Sequence, residues 1–262
     1  MHPLVNIATK AARRAGTMIY RSIDNMDKVV VEEKSPNDFV SNIDKRAEKM
    51  IIETIQEVYP EHNILAEESG AQVSESDDDT TWIIDPLDGT TNYLYGFPHY
   101  CVSIAVKQAG KIQHAVVYDP LKDEIFSASR GQGAVLNGSR IRVNATKSLK
   151  GSFIGTGTPY RVTDNIDSYM ALLKDLMTQC RDIRRPGSAA LDLCYVACGR
   201  YDGFFEFGLS SWDMAAGSLI IEEAGGIVDD LQGKQDYLNS GDIVAATPKL
   251  FREFVQLIRR HR

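Results

Sequence analysis

The segment Asp85-Pro86-Leu87-Asp88-Gly89-Thr90-Thr91-Asn92 closes the apolar run Trp82-Ile83-Ile84 with two carboxylates. Carboxylates are hard oxygen donors of the kind a divalent cation takes. Pro86 fixes its own φ and lacks an N–H, so a stiff turn is expected there. Gly89 lets backbone approach a ligand closely. The residues after it can open a helix whose amino-terminal N–H groups favour an anion. One short loop therefore offers cation ligands beside phosphate donors. Taken alone, it reads equally well as Asp88 capping a helix that starts at Gly89, with Asp85 solvated. Two other acids stand in comparable places. Glu67 ends the short run Asn63-Ile64-Leu65-Ala66 and precedes Glu68-Ser69-Gly70, and Asp213 follows Trp212 where Trp212-Asp213-Met214-Ala215-Ala216-Gly217 opens a helix. Asp213 by itself reads equally well as an acid favoured by the helix dipole. The conjunction of the three is far more specific than any one of them.

The elements that must carry these acids follow from periodicity. Residues 4–20 predict an amphipathic helix with Val5, Ala8, Ala12, Ala15 and Ile19 on one face. Residues 28–42 read as a loop or loose hairpin around Lys34-Ser35-Pro36-Asn37-Asp38, and 44–58 as a second helix stopped by Pro60. Residues 82–85 read as a strand, and 100–107, 112–119 and 124–129 as an antiparallel meander, with Gly131, Gly133 and Gly138 marking turns. The second half alternates: strands at 152–156, 203–207 and 243–246, and helices at 167–180, 188–199, 212–225 and 248–260. Gly225-Gly226 should cap the third of these helices. This pattern predicts α+β in the first half and α/β in the second. The expected division is 1–145, bearing the metal motifs, and 146–262, completing the site, as one integrated unit.

Composition narrows the function. The chain has 262 residues, 43% apolar and 25% charged, enough for a sizeable core without staples. Its formal charge of −7 argues against nucleic-acid binding as the main task. No apolar run is long enough to span a bilayer, and no secretory signal pattern opens the chain, so the cytoplasm is expected. Cys101, Cys180, Cys194 and Cys198 lack CxxC spacing and read as small core residues. His2, His62, His99, His114 and His261 are scattered, no HExxH occurs, and zinc chemistry is not expected. No P-loop motif is present. Glu75, Asp77, Asp78 and Asp79 lack EF-hand spacing and read as a solvated loop.

The three acidic motifs, in this order, resemble the inositol monophosphatase family, whose members are lithium-sensitive, magnesium-dependent phosphomonoesterases. The resemblance extends over essentially the whole chain. Residues 34–41 look like the family's mobile active-site loop, Asp44 falls where it has a further acid, and Gly187-Ser188-Ala189-Ala190-Leu191-Asp192-Leu193 looks like its substrate-side segment. The opening Met1-His2-Pro3 and Arg184-Arg185-Pro186 are most similar to the bacterial branch.

This resemblance implies a layered αβαβα sandwich of the sugar-phosphatase type. It implies two to three Mg²⁺ ions: Glu67, Asp85 and the Leu87 carbonyl on the first, Asp85, Asp88 and Asp213 on the second, Glu67 helping with a third. Thr90 and Glu67 would orient the attacking water, and the Gly89 and Thr90 N–H groups would hold the phosphate. Gly187, Ser188, Ala189, Glu206 and Asp213 would lie near the inositol ring. The implied reaction is hydrolysis of myo-inositol monophosphate by metal-activated water, with no phosphoenzyme. Related sugar or nucleotide phosphatases, acting on fructose-1,6-bisphosphate or 3′-phosphoadenosine 5′-phosphate, are the alternative. Arg161, Arg184 and Arg185 are candidates for a second phosphate, although Arg184-Arg185 reads first as an interface or solvated pair. The branch also implies a homodimer and a link to transcription antitermination through a transcription elongation factor and RNA polymerase. Residues 31–42 are expected to be mobile without metal.

Overall fold

The computed structural model describes residues 2–24, 29–35, 38–159 and 166–262. Five layers alternate helix and sheet, giving the αβαβα sandwich. The outer helices α1 (Pro3–Ser22) and α2 (Asn42–Gln56) pack on one face of an eight-stranded sheet. Between that sheet and a five-stranded one lie α5 (Ala189–Ala197) and α6 (Ser211–Glu223). Helices α4 (Ile166–Gln179) and α8 (Pro248–Arg259) cover the far side.

The larger sheet contains β3 (Asn63–Ala66), β4 (Gly70–Gln72), β5 (Thr81–Asp88), β6 (Cys101–Gln108), β7 (Lys111–Asp119), β8 (Glu124–Ser129), β9 (Gly133–Leu136) and β10 (Ser139–Arg140). The order across it is β10-β9-β8-β7-β6-β5-β3-β4. Strands β5 to β8 pair antiparallel with their successors, and β3 pairs parallel with β5. Successive residues alternate faces, as strand geometry requires. Trp82, Ile84, Val102, Ile104 and Val116 join α1 and α2, while Ile83, Cys101, Ala105, Ala115 and Val117 join α5 and α6. The stripe on α1 and α2, with Ile19, Ile51 and Ile55 fully buried, is worth about 2 kcal/mol per large side chain.

The smaller sheet holds β11 (Phe153–Thr156), β12 (Asp182–Arg184), β13 (Gly203–Glu206), β14 (Ile227–Asp229) and β15 (Ile243–Ala246), in the order β12-β11-β13-β15-β14. Strand β11 runs parallel to β12 and β13, and β15 runs antiparallel to β13 and β14. Helices α5 and α6 are buried nearly all round because they lie between two sheets. Their small residues allow close crossing: a Cβ on Gly217 would lie 2.6 Å from the Leu193 Cβ. The remaining elements are short: β1 (Val31–Ser35) and β2 (Asp38–Ser41) form an antiparallel hairpin, and α3 (Thr90–Leu94) and α7 (Tyr237–Ser240) are single turns.

Three expectations change. The chain does not turn at Pro86: β5 continues to Asp88 through a bulge between Asp85 and Asp88, where a residue without an N–H costs no ladder bond. Asp88 does not cap α3; Gly89, in left-handed conformation at φ 99°, stands at the cap and no side chain bonds there. Gly133 opens β9 rather than marking a turn. The hairpin, the two outer helices, the meander and the alternating second half stand as expected, with boundaries shifted by a residue or two. Gly225, at φ 87°, follows Ala224, the cap of α6, as a left-handed stop. Cys101 and Cys194 are core residues, Cys180 and Cys198 are half-buried, and all four are free. Glu75, Asp77, Asp78 and Asp79 are exposed. Pro36, Asn37 and Arg161 lie outside the described residues.

Candidate active site

The carboxyl-terminal end of β5 delivers Asp85 and Asp88, and the first turn of α6 delivers Asp213 from the opposite layer. One carboxylate oxygen of each lies within 4.8 Å of the others. Asp213 doubles as the third residue of a capping box, its Oδ2 accepting the Ser210 N–H at 2.7 Å. Asp85 Oδ1 accepts the Leu87 N–H at 3.0 Å, which folds the bulge around it. Glu67 follows β3, the parallel neighbour of β5, and its N–H donates to the Ile84 carbonyl at 3.1 Å. Its charge acts on Asp85.

Three acids from two elements thus converge, with the charge of Glu67 reaching Asp85 from the end of a third. Burial, then the charges of Glu67, Asp88 and Asp213, push Asp85 well above the usual carboxylate range. Asp88 rises to about 6, chiefly through burial, although the Ser188 hydroxyl and Ala190 N–H pull it down. A buried set of like charges built only of oxygen donors fits a divalent cation, which would neutralise them.

Asp88 Oδ2 accepts from the Ser188 hydroxyl at 2.8 Å and the Ala190 N–H at 2.7 Å. The Thr90 hydroxyl lies 2.7 Å from Asp44 Oδ1, to which it donates, and 3.1 Å from the Leu87 carbonyl. Asp44 is fully buried, and its other oxygen accepts from Ser41, so the cap of α2 is tied to the start of α3. Burial raises the Asp44 carboxyl above its ordinary value. Gly89 sits where a Cβ would meet the His99 carbonyl at 3.0 Å and the Gly187 carbonyl at 3.3 Å.

Glu206 ends β13, in the smaller sheet. Burial raises it well above its usual range, with the charges of Asp192, Asp213 and Asp88 adding to the effect. A Cβ on Gly157 would overlap its carboxyl group, so that glycine makes its space. Gly187 (φ 93°), Ser188 and Ala189 lead into α5 against Asp88. Contacts and mutual charge effects therefore place Glu67, Asp85, Leu87, Asp88, Gly89, Thr90, Gly187, Ser188, Ala189, Glu206 and Asp213 in one neighbourhood. Arg184 turns away instead, paired with Asp182 at 2.7 Å and stacked on Phe153, as a solvated residue.

Sequence reasoning missed the lacing beneath this cleft. Asn92 Nδ2 lies within hydrogen-bond reach of the carbonyls of His99 (2.7 Å) and Pro186 (2.8 Å). His99 Nε2 and Asp192 Oδ1 share a hydrogen bond at 3.0 Å, both residues buried. Only the run Gly187–Leu193 hinted at it, and nothing in that run points to residue 99.

Known proteins resemble this chain in sequence and in fold. The model of the Inositol monophosphatase family matches residues 1–262. The Nus factor SuhB of Vibrio cholerae is 51% identical over 261 residues, covering 100% of this chain and 97% of that relative. The crystal structure of the extragenic suppressor protein suhB from Bartonella henselae superposes with a TM-score of 0.95 at 39% identity, covering 99% of both chains. A structure of SaIMPase-II with inositol monophosphate bound reaches 0.82 at 27% identity, covering 99% of this chain and 95% of that one. A match that runs from the first residue to the last, over the layers that deliver all four acids, leaves one assignment: the chain belongs to the inositol monophosphatase family.

Proposed function

We propose that this protein hydrolyses myo-inositol monophosphate to myo-inositol and inorganic phosphate with Mg²⁺ as cofactor and is inhibited by Li⁺. The observation that carries the reading is the convergence of Asp85, Asp88 and Asp213 within 4.8 Å. Glu67, Asp85 and the Leu87 carbonyl would hold one ion, and Asp85, Asp88 and Asp213 a second, with Glu67 helping to bind a third. Bound there, Mg²⁺ supplies the positive charge that a phosphate dianion needs and acidifies water.

The chain's own residues do the rest. With its proton committed to Asp44, the Thr90 oxygen turns a lone pair towards the attacking water, and Glu67 helps to hold that water in line. The Gly89 and Thr90 N–H groups bind phosphate oxygens. Glu206, Ala189, Ser188, Gly187 and Asp213 orient the polyol, for whose hydroxyls carboxylates are natural acceptors. The similar SaIMPase-II, solved with inositol monophosphate bound, supports the reading of an inositol phosphate as the substrate here.

A second reading rests on the name Nus factor SuhB carried by the relatives. It makes the chain, as a cytoplasmic homodimer in exchange with monomer, a partner of an antitermination complex through a transcription elongation factor. Two measurements decide. Phosphate release from inositol 1-phosphate should be Mg²⁺-dependent, Li⁺-inhibited and absent in Asp88→Asn; no turnover by folded wild type would sink the phosphatase reading. Rescue of a deletion strain by Asp88→Asn would favour the partner role.

A further inference from the structure

Asp88 is held from an unexpected side. One of its oxygens is taken up by α5, through the Ser188 hydroxyl at 2.8 Å and the Ala190 N–H at 2.7 Å. Ser188 stands at the cap of α5 yet makes no side-chain cap bond, and its hydroxyl donates to Asp88 instead. The direction in which the remaining oxygen of Asp88 points therefore depends on where the amino terminus of α5 sits.

One turn into α5, Asp192 is 1% exposed, and its N–H donates to the Ser188 carbonyl at 2.9 Å. Its carboxylate lies 3.0 Å from Nε2 of His99, itself 6% exposed, in the turn before β6. The His99 carbonyl accepts from Asn92, whose amide also reaches Pro186 at the entrance to α5. The segments 88–92, 97–101 and 186–192 thus close a ring of hydrogen bonds around Asp88. The ring is tightly packed, since a Cβ on Gly89 would lie 3.0 Å from the His99 carbonyl and 3.3 Å from the Gly187 carbonyl, closer than ordinary contact. Displacement of one segment must move the others.

We propose that His99 and Asp192 are a positioning pair: their buried hydrogen bond sets the amino terminus of α5 against Asp88 and thereby sets how tightly the acid cluster holds its divalent cation. The inference rests on the metal reading of Asp85, Asp88 and Asp213. A pair that only stabilised α5 would lower the melting temperature and leave cation affinity alone. A pair that positions Asp88 changes affinity: loss of a group bonded directly to a metal ligand costs about 10- to 100-fold, and this pair, acting one step further out through Ser188 and Ala190, is expected at the low end of that range.

The probe is Mn²⁺, titrated onto the full chain and read by the electron paramagnetic resonance of the free ion, beside the Mg²⁺ half-saturation of phosphate release. His99→Phe, which keeps a ring but loses the hydrogen bond, should weaken Mn²⁺ at least about tenfold. Its kcat at saturating Mg²⁺ should stay within a few-fold of wild type. His99→Gln, which can still bond Asp192, should recover most of the affinity. If His99→Phe does not fold, His99→Asn, polar but too short to reach Asp192, is read by the same criteria. A folded variant lacking the bond that binds Mn²⁺ within twofold of wild type overturns this inference alone. A wild type that binds no Mn²⁺ overturns the metal reading and the inference with it.

Discussion

Two acidic regions of this chain have nearly the same composition and opposite physics. The loop carries Glu75, Asp77, Asp78 and Asp79; the cleft carries Glu67, Asp85, Asp88 and Asp213. In the loop the carboxylates are exposed and find local partners. Asp78 accepts the Thr80 N–H at 2.8 Å, and Asp79 accepts the Ala109 N–H at 2.8 Å. Hydrogen bonds from Thr80 hold Asp78 below the ordinary carboxylate value. In the cleft, burial lifts Asp85 and Asp88 above it. The loop is denser in acid along the sequence, yet it is Asp85, Asp88 and Asp213 that are gathered at one largely buried point where a cation could be held. Density of charge in sequence says little; delivery of acids from separate buried elements to one point says much.

The sharpest way to break this contrast is to neutralise one acid from each region. Asp88→Asn should lower kcat for inositol 1-phosphate at least about a thousandfold, whereas Asp78→Asn should leave it within about twofold. Comparable losses from both, measured at saturating Mg²⁺, would erase the distinction. A smaller effect is expected one step from the cleft: Thr90→Val, which removes the hydroxyl bonded to Asp44, should cost about a hundredfold in kcat with the Mg²⁺ half-saturation little changed. A change confined to that half-saturation would make Thr90 a support of the Leu87 carbonyl instead of a holder of water.

The contrast also has a thermal form. Ligand at about a hundred times its dissociation constant stabilises by about 2.7 kcal/mol, which in a chain of this size raises the melting temperature by roughly 5–10 °C. Mg²⁺ should do this to wild type and to Asp77→Asn, and should do nothing to Asp85→Asn. An equal Mg²⁺ shift in all three, by differential scanning calorimetry, would place the cation elsewhere.

The acids themselves were legible in the sequence because each ends an apolar run or opens a helix, and such places are few. The layer order was legible through the family resemblance and the switch from strand to helix periodicity. What was not legible was long-range. The bulge that carries β5 past Pro86 depends on the register of β6, which no local pattern specifies. The left-handed Gly89 at the cap displaced Asp88, which local capping rules put there. The His99–Asp192 bond joins residues far apart in the chain, and a lone histidine beside proline has no signature of a buried partner.

The smallest expected effect separates the two regions by sign. Asp44, beneath the cleft, has its carboxyl raised by burial, so in metal-free protein the folded state holds its proton more tightly than the unfolded chain does. The stability this gives is complete below the unfolded value of about 3.9 and is lost as pH rises through the folded value. Asp78 in the loop is lowered by Thr80, so its contribution is present above about 3.9 and is lost as pH falls through its folded value. In EDTA, Asp44→Asn should therefore gain in urea midpoint against wild type as pH rises from about 4 to neutrality. Asp78→Asn should lag wild type at pH 5 and close the gap on further acidification. Urea midpoints across that range for the three proteins test both at once. Two variants drifting the same way relative to wild type would mean that burial does not divide these acids, and that the cleft is no drier than the loop.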